Sequence, residues 1–281
     1  MRYSFAAFDL DGTLLNDQKV ITPKTKTAIM RLQQLGVRVI LASGRHPRGV
    51  LPVGQELELA QYGGMLLCFN GGRVVSCATG QTLVHSALPR TLAQQAAGAA
   101  LRLGLQPVCY TDRTLLTQAP EDPYVQLEAR INHLDIQRSG NLCEELPQEP
   151  DKLLLVGQAQ TVSSALPQLQ RRFAGQCDIY CSTPFFIEVM PPDINKATAL
   201  NGLLAELSYG REALVSFGDG QNDIPMLDFA GFGVAMENAP DDVKAHADLV
   251  TGSCNADGIA DAIARIWPET LDTDGSGWYA E

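Results

Sequence analysis

Phe8-Asp9-Leu10-Asp11-Gly12-Thr13-Leu14-Leu15 is the stretch that fixes the interpretation of this chain, because two closely spaced carboxylates follow the apolar run at residues 5–8. Alternate residues of an extended chain point to the same side, so we expect the side chains of Asp9 and Asp11 to reach one small volume. Like charges at close range imply a bound cation, a shared proton, or both. Gly12 permits a sharp turn after the strand. A solvated Asp-Gly turn is the simpler alternative, and this stretch alone leaves both open.

A strand-helix-strand pattern surrounds this stretch and predicts a parallel sheet. A strand over residues 3–8 is followed by a helix that begins at Pro23, with Thr22 as its N-cap, and stops at Gly36. Residues 37–42 are almost continuously apolar, which is typical of a strand covered on both faces. Such units have right-handed crossovers and bind ligands beyond the carboxyl ends of their strands. The loops after these two strands should therefore lie at one edge of the sheet.

Polar residues also occupy later loops. Ser43-Gly44-Arg45 follows the second strand, and Asn70-Gly71-Gly72 follows a third strand as either a hairpin turn or another loop at the same edge. Lys196 precedes an apolar helix, and Gly218-Asp219-Gly220-Gln221-Asn222-Asp223 follows another buried strand. Hydroxyls, helix N-termini and lysines bind phosphate, whereas carboxylates bind hard cations. Taken singly, a capping serine or a surface lysine would be the simpler interpretation; together these loops predict a metal and phosphate site.

The pattern of elements changes between residues 84 and 190, which predicts an inserted domain. Short helices alternate there with strands of two-residue periodicity, as in an α+β layer with one solvated or partner-facing side. Residues 1–83 and 191–281 then form the first domain. The less regular predicted segments are a loop at 138–151, a helix at 163–173, a helix at 240–247 and a polar, frayed tail at 268–281.

Charge and composition exclude several classes of function. The net charge of −11 argues against a nucleic-acid-binding protein, which would present a basic face. The chain contains no G-x-S-x-G, no P-loop and no G-x-G-x-x-G motif. Its histidines lack the spacing of metal ligands and are interpreted as surface residues or as residues satisfied by their neighbours. These histidines are His46, His85, His133 and His246.

Cysteine usage and the start of the chain predict a cytoplasmic protein. Seven cysteines are scattered along the sequence, and the single C-x3-C of Cys177 and Cys181 has no partner pair to complete a zinc site. Met1-Arg2-Tyr3-Ser4 lacks the apolar region of a signal peptide. No apolar run approaches the length needed to cross a bilayer. We therefore expect reduced thiols and no membrane association.

The motifs, in this order and spacing, resemble those of the haloacid dehalogenase superfamily of phosphotransferases. Within it the chain is similar to the Cof-like sugar-phosphate phosphatases of subclass IIB, up to about residue 267. The resemblance implies an α/β fold, with a Rossmann-like three-layer parallel-sheet core and an α+β cap domain inserted at residues 84–190. The matching motifs are Asp9-Leu10-Asp11-Gly12-Thr13, Ser43-Gly44-Arg45, Lys196 and Gly218-Asp219-Gly220-Gln221-Asn222-Asp223.

The resemblance also implies a reaction and a role for each motif residue. Asp9 would attack phosphorus to form an aspartyl-phosphate, and Asp11 would protonate the leaving alcohol and then activate water. Mg2+ would be the cofactor, at a site formed by Asp9, Asp219 and the backbone carbonyl of Asp11. Asp223 would support this metal site and would also hold Lys196. The phosphoryl oxygens would be bound by Leu10, Ser43, Gly44, Lys196 and Asn222. Candidate substrate contacts are Arg45, Asn70 and Gly71, with Arg48 and the loops at 110–113 and 183–186.

The substrate implied is a small phosphorylated metabolite, most often a sugar phosphate, selected by the inserted domain. Phosphomannomutases of the same superfamily offer one alternative, because they return the phosphoryl group to a sugar instead of to water. A phosphosugar sensor without catalysis is the other alternative, although every catalytic position is filled. No nucleic-acid or membrane partner is expected, and the sequence carries no signal for an oligomeric state.

Overall fold

The computed structural model describes residues 2–270 and groups them into two compact units. The first consists of the described residues of Met1–Gly44, Leu51–Val84 and Asn195–Glu281. The second consists of Arg45–Val50 and His85–Ile194. The segment Arg45–Val50 belongs to the second unit although it lies far from residues 84–190 in the sequence, and no local pattern signalled this grouping.

Within residues 2–270 the chain forms fourteen strands and ten α-helices. The strands are β1 (Phe5–Phe8), β2 (Arg38–Ala42), β3 (Met65–Cys68), β4 (Arg73–Ser76), β5 (Thr82–His85), β6 (Gln106–Tyr110), β7 (Thr114–Thr117), β8 (Asp135–Arg138), β9 (Leu153–Val156), β10 (Asp178–Thr183), β11 (Phe186–Met190), β12 (Leu214–Gly218), β13 (Phe232–Ala235) and β14 (Leu249–Val250). The helices are α1 (Pro23–Gln34), α2 (Pro47–Glu56), α3 (Arg90–Arg102), α4 (Pro123–Ile131), α5 (Leu142–Glu145), α6 (Ala159–Arg172), α7 (Lys196–Glu206), α8 (Ile224–Phe229), α9 (Asp241–Lys244) and α10 (Gly258–Ile266).

The first unit is built on a sheet whose described strands run in the order β14-β13-β12-β1-β2-β3-β4-β5. The strands from β14 to β3 are parallel, and β4 is antiparallel to β3. Phe8 of β1 is level with Leu41 of β2 and with Phe217 of β12. The carboxyl ends of these three strands therefore meet at one edge. This confirms the predicted α/β fold with a Rossmann-like parallel sheet.

Apolar burial explains why the central strand and the first helix form. All four residues of β1 are buried, so water is excluded from both faces of the strand. In α1, Thr22 caps the N-terminus by accepting the N–H of Thr25, and Ile29 and Leu32 are fully buried. A cap of this kind satisfies an N–H group that the helix leaves unpaired. The helix thus begins where the sequence predicts and buries its apolar face.

The second unit contains a sheet whose described strands run in the order β10-β11-β9-β6-β7-β8. Neighbouring strands are antiparallel except for β7 and β8, which are parallel. Its core joins residues of α3 and α6 to one face of this sheet. The unit therefore has an α+β architecture and its own hydrophobic core. Among the described residues, no helix combines the length and apolar character needed to cross a bilayer.

Several predicted segments differ from the structure. The sequence predicts a loop from 138 to 151, but this stretch contains α5, and β8 ends at its first residue. Strand β8 is largely exposed, so apolar alternation did not reveal it. Helix α6 begins four residues before the predicted start, because its N-cap residue Gln158 makes no side-chain capping bond that would mark the start. Helix α9 ends at Lys244 instead of 247. Of the predicted tail, residues 268–270 form a 3-10 turn and residues 271–281 lie outside the described part.

Truncating the core of the second unit should destabilise the protein. Leu92 in α3 is 8% exposed, and its replacement by alanine should lower the free energy of unfolding by about 2–3 kcal/mol, through lost burial and a cavity. Leu101 lies in the same helix but is 37% exposed. Leu101→Ala should therefore cost less than about 1 kcal/mol. Urea unfolding followed by circular dichroism measures both, and equal losses would contradict this account of the core.

Candidate active site

The chain turns immediately after β1. The carbonyl of Leu10 accepts the N–H groups of Thr13 and Leu15, and Gly12 has a φ of +90°. A Cβ at Gly12 would collide with the carboxylate of Asp219, so glycine is required both for conformation and for space. The turn brings the loop after β1 against the loop after β12.

The turn also separates the two aspartates of the first motif. Asp9 is buried, whereas the Asp11 side chain is 39% exposed and forms an ion pair with Lys19 at 2.8 Å. The same-side expectation assumed an extended chain, but the chain is extended only to Phe8. Asp11 therefore lies at the exposed rim of the site, and its carboxylate does not join the group formed by Asp9.

Lys196 is the centre of the site. Its side chain is fully buried, and its Nζ lies 2.5 Å from Asp9 Oδ1 and 2.6 Å from Asp223 Oδ1. Asn195 fixes this lysine at the first residue of α7 through a capping box, in which its side chain accepts the N–H of Thr198. A buried ammonium is tolerated only when it is paired, and here two carboxylates pair with it.

Asp223 organises the loop after β12. Its Oδ2 accepts the backbone N–H groups of Asp219, at 3.0 Å, and Gly220, at 2.9 Å. Asp219 in turn accepts the Thr13 hydroxyl at 2.5 Å. Asn238 donates to the carbonyl of Gly12 at 2.8 Å and so connects a further loop to the first motif. The carboxylate of Asp219 is thus held in place from several sides.

The carboxylates fit a hard divalent cation. Oxygen atoms of Asp9, Asp219 and Asp223 lie within 4.8 Å of one another. When all three carboxylates are ionised, the ammonium of Lys196 balances only one of their charges and two negative charges are left for a cation. Carboxylate oxygens are the ligands that Mg2+ prefers. Both oxygens of Asp223 are already engaged, by Lys196 and by the two backbone N–H groups. Asp9 and Asp219 are therefore the better direct ligands, and Asp223 supports them.

Burial and mutual repulsion perturb these acids. Burial, and then the charge of Asp223, raise the pKa of Asp9 to about 7, against the opposing effect of Lys196. Burial also raises the pKa of Asp219. For Lys196, burial disfavours the charged form, but attraction to Asp223 and Asp9 outweighs it and raises the lysine pKa. Lys196 is therefore an ammonium, and a bound cation would favour the ionised form of Asp9.

The loop after β2 contributes the candidate phosphate donors. Ser43 is buried; its N–H donates to the carbonyl of Leu67, and its carbonyl accepts the N–H of Asn70. Asn70 Oδ1 accepts a hydrogen bond from Asn222 Nδ2 at 3.1 Å. The backbone of Gly44 lies against the side-chain amide of Asn70. The loops after β2, β3 and β12 therefore meet within the first unit.

The remaining predicted residues are distributed as follows. The side chain of Leu10 is fully buried, so only its backbone can take part in binding. Gly71 belongs to the 3-10 turn Phe69–Gly71, which joins β3 to β4 and packs against α7. The sequence predicts either a hairpin turn or another loop at the carboxyl edge of the sheet for this segment. Both descriptions hold, because the segment connects the antiparallel strands β3 and β4 and follows the carboxyl end of β3. Arg45 groups with the second unit.

Three residues of the site were not singled out from the sequence. Thr13 lies in the first motif, next to Gly12. That position is the signal from which a hydrogen bond of its hydroxyl to a carboxylate of the site could have been predicted, and the structure shows this bond to Asp219. Lys19 has a φ of +60° in a tight turn that Asn16 stabilises by accepting the N–H groups of Gln18 and Val20. Asn238 gives no signal in the sequence, because its role depends on a contact with a residue 226 positions away.

Comparison with known proteins identifies relatives along nearly the whole chain. A family model of haloacid dehalogenase-like hydrolases matches residues 6–263. The HMP-PP phosphatase of Serratia proteamaculans is 30% identical over 268 residues, covering 92% of this chain and 93% of that protein. The pyridoxal phosphate phosphatase of Escherichia coli is 28% identical over 276 residues, covering 92% of this chain and 96% of that protein.

A solved structure has the same fold. The crystal structure of a haloacid dehalogenase-like hydrolase from Bacteroides thetaiotaomicron is 35% identical in sequence and superposes with a TM-score of 0.89. The match covers 94% of this chain and 100% of that one. Both the sheet and the second unit are therefore shared with that protein.

Removing the buried ammonium should cost stability. Lys196→Met leaves Asp9 and Asp223 buried without a counterion, and should lower the free energy of unfolding at neutral pH by about 3–5 kcal/mol. The loss should shrink as the pH falls, because the unpaired carboxylates then bind protons in the folded state. Lys19→Met breaks an exposed ion pair and should cost less than about 1 kcal/mol. Urea unfolding at two pH values tests this, and a loss independent of pH would contradict it.

Proposed function

Because the chain belongs to the haloacid dehalogenase-like hydrolases and is a Cof-like phosphatase, we propose that it hydrolyses small phosphorylated metabolites through an aspartyl-phosphate on Asp9. The observation that carries this proposal is the buried contact of Lys196 Nζ with Asp9 Oδ1. No described residue forms a hydrogen bond with the other carboxylate oxygen, Asp9 Oδ2. One oxygen of the nucleophile is thus fixed, and the other is available for attack.

In the first step, Asp9 Oδ2 attacks phosphorus, and a new P–O bond forms as the bond to the leaving alcohol breaks. Asp11, which enters this step protonated and released from Lys19, donates its proton to that alcohol. Lys196 stabilises the charge that develops on the phosphoryl oxygens, and Ser43, Gly44 and Asn222 donate hydrogen bonds to them. These loops already meet within the first unit, which supports the assignment.

In the second step, Asp11 accepts a proton from water, whose oxygen attacks the phosphorus of the aspartyl-phosphate. The bond from phosphorus to Asp9 breaks, inorganic phosphate leaves, and both aspartates return to their starting states. Asp11 must turn from Lys19 toward the reacting atoms in this scheme. An exposed ion pair is worth only about 0–1 kcal/mol, so this rotation costs little.

Mg2+, held by Asp9, Asp219 and the backbone carbonyl of Asp11 with Asp223 in support, would supply positive charge next to the transferred phosphoryl group. The two unbalanced negative charges of the carboxylate group support this choice of cofactor. Thr13 and Asn238 keep Asp219 in position for that role.

The proposed substrates are sugar phosphates or other small phosphate monoesters. The sugar-phosphate preference rests on the family resemblance, and the pyridoxal phosphate phosphatase of Escherichia coli is a relative described with a different substrate. The choice of leaving group is assigned to the second unit. We also propose a cytoplasmic location, since the seven cysteines form no disulfide within the described residues.

Replacing the nucleophile should abolish turnover and preserve the fold. Asp9→Asn should lower the rate of phosphate release by more than about a thousandfold, because the amide cannot form the acyl-phosphate. Release of inorganic phosphate from a hexose phosphate, pyridoxal phosphate and p-nitrophenyl phosphate is the measurement. The exposed Asp241→Asn variant serves as control and should retain wild-type rates. Near-wild-type turnover by Asp9→Asn would reject the assignment.

Metal removal should silence the enzyme. EDTA should abolish phosphate release, and added Mg2+ should restore it. Thr13→Val removes the hydroxyl that holds Asp219, and should raise the Mg2+ concentration for half-maximal rate by about 10- to 100-fold. Thr27→Val, which removes an exposed hydroxyl in α1, is the matched control. Full activity in EDTA would show that no metal is required.

A further inference from the structure

The loop at residues 251–257 connects β14 to α10 and belongs to the first unit. It lies outside the four motifs of the sequence. The Thr251 hydroxyl donates to the carbonyl of Gly258 at 2.6 Å. A Cβ at Gly258 would lie 1.9 Å from the carbonyl oxygen of Gly252, so the two ends of the loop are in close contact. The 251–257 loop is therefore closed at its base.

Asn255 attaches this loop to the segment that follows the first motif. Its Nδ2 donates to Asp17 Oδ2 at 2.9 Å, and its Oδ1 accepts the backbone N–H of Asp17 at 3.2 Å. A side-chain amide that donates to and accepts from one residue fixes the orientation of that residue as well as its distance. The segment at Asp17 is thus held by the 251–257 loop.

Asn238 attaches the same loop to the first motif itself. Its Oδ1 accepts the N–H of Cys254 at 3.0 Å, and its Nδ2 donates to the carbonyl of Gly12 at 2.8 Å. The contact of Nδ2 with Asp219 Oδ2, at 3.4 Å, is longer and therefore weaker. The main partner of Asn238 in the site is thus the backbone of Gly12.

These contacts close a ring within the first unit. The N–H of Gly12 donates to the carbonyl of Leu15 at 3.2 Å, and Leu15 lies two residues before Asp17. Each remaining link is one of these asparagine hydrogen bonds or one step along the chain. The ring runs through Gly12, Leu15, Asp17, Asn255, Cys254 and Asn238. A member of the ring therefore cannot move without moving its neighbours on both sides.

The ring sets the direction of the Asp11 carbonyl. This carbonyl and the N–H of Gly12 belong to one trans peptide, in which they point in opposite directions. Since the N–H donates to Leu15, the Asp11 carbonyl points away from Leu15. Asn238 holds the carbonyl of the next peptide, so both peptides that flank Gly12 are fixed. Asp11 therefore presents its backbone oxygen in one direction.

We propose that Asn238 and Asn255 are positioning residues for the divalent cation, because through this ring they direct the Asp11 carbonyl before a cation binds. This inference rests on the metal site of the proposed function and adds the 251–257 loop to it. Mg2+ requires near-ideal octahedral geometry, whereas Ca2+ accepts variable geometry and more ligands. Loosening one carbonyl ligand should therefore weaken Mg2+ binding more than Ca2+ binding. Misplacing a carboxylate would weaken both, since its charge attracts both cations.

Two variants loosen the ring at different links. Both asparagines are exposed, so Asn238→Ala and Asn255→Ala should leave the core intact. Each should raise the Mg2+ dissociation constant by on the order of threefold to tenfold, with the larger effect for Asn238→Ala. The Ca2+ dissociation constant should change by less than about twofold, so the ratio of the two constants shifts. Isothermal titration calorimetry of the substrate-free protein with each metal ion measures both constants.

A third variant tests whether the ring acts as a whole. Asp17→Ala removes the partner of Asn255, so the double variant Asn255→Ala/Asp17→Ala should shift the ratio no further than Asn255→Ala alone. Asn141→Ala is the matched control, because it removes an exposed amide hydrogen bond to Glu144 in the second unit and should leave both constants unchanged. A lower melting temperature with an unchanged ratio would reduce the ring to a structural role and overturn the proposal. Equal weakening of Mg2+ and Ca2+ would also overturn it, because the effect would then belong to a carboxylate.

Metal binding without substrate separates this inference from the proposed function. The Mg2+ shifts in Asn238→Ala and Asn255→Ala, together with no phosphate release by the wild-type protein, would reject the function alone. Phosphate release by the wild-type protein, with an unchanged Mg2+ affinity in both variants, would reject the positioning role alone.

Discussion

The buried contact of Lys196 with Asp9 and Asp223 is the interaction on which the site depends. Transfer of an ammonium from water to a fully buried position costs several kcal/mol, which only close pairing with carboxylates offsets. Such a cluster contributes little net stability compared with apolar packing of the same volume. Its value lies in geometry, because it fixes one oxygen of Asp9 and one of Asp223 relative to the sheet. The turn at Gly12 and the capping box of Asn195 both serve this arrangement.

The same cluster explains how two distant loops act together. Asp223 binds Lys196 with one oxygen and the loop after β12 with the other, so the position of Asp219 depends on the lysine. Thr13 then connects Asp219 back to the first motif. The result is an excess of negative charge that suits a divalent cation. That cation would in turn attract a phosphate group. In the proposed function, charge balance thus connects the metal, the nucleophile and the substrate class.

The second unit has a different relation to the reaction. It has its own core and sheet, and the resemblance assigns to it the choice of leaving group. Within this unit, the network of His46, Asn132, Glu128 and Tyr110 attaches the segment Arg45–Val50 to the end of α4.

The sequence by itself determined the parallel sheet, the loops at its carboxyl edge and the residues that fill them. Strand periodicity, helix caps and motif spacing are local properties, so Asp9, Ser43, Lys196 and Asp219 could be found without coordinates. Only the tertiary structure decided which side chains meet. Lys196 contacts an aspartate 187 positions away, Asp11 turns toward Lys19 because the chain is no longer extended, and His46 packs against Asn132, 86 positions later. Such pairings depend on how separate elements pack, which no local pattern records.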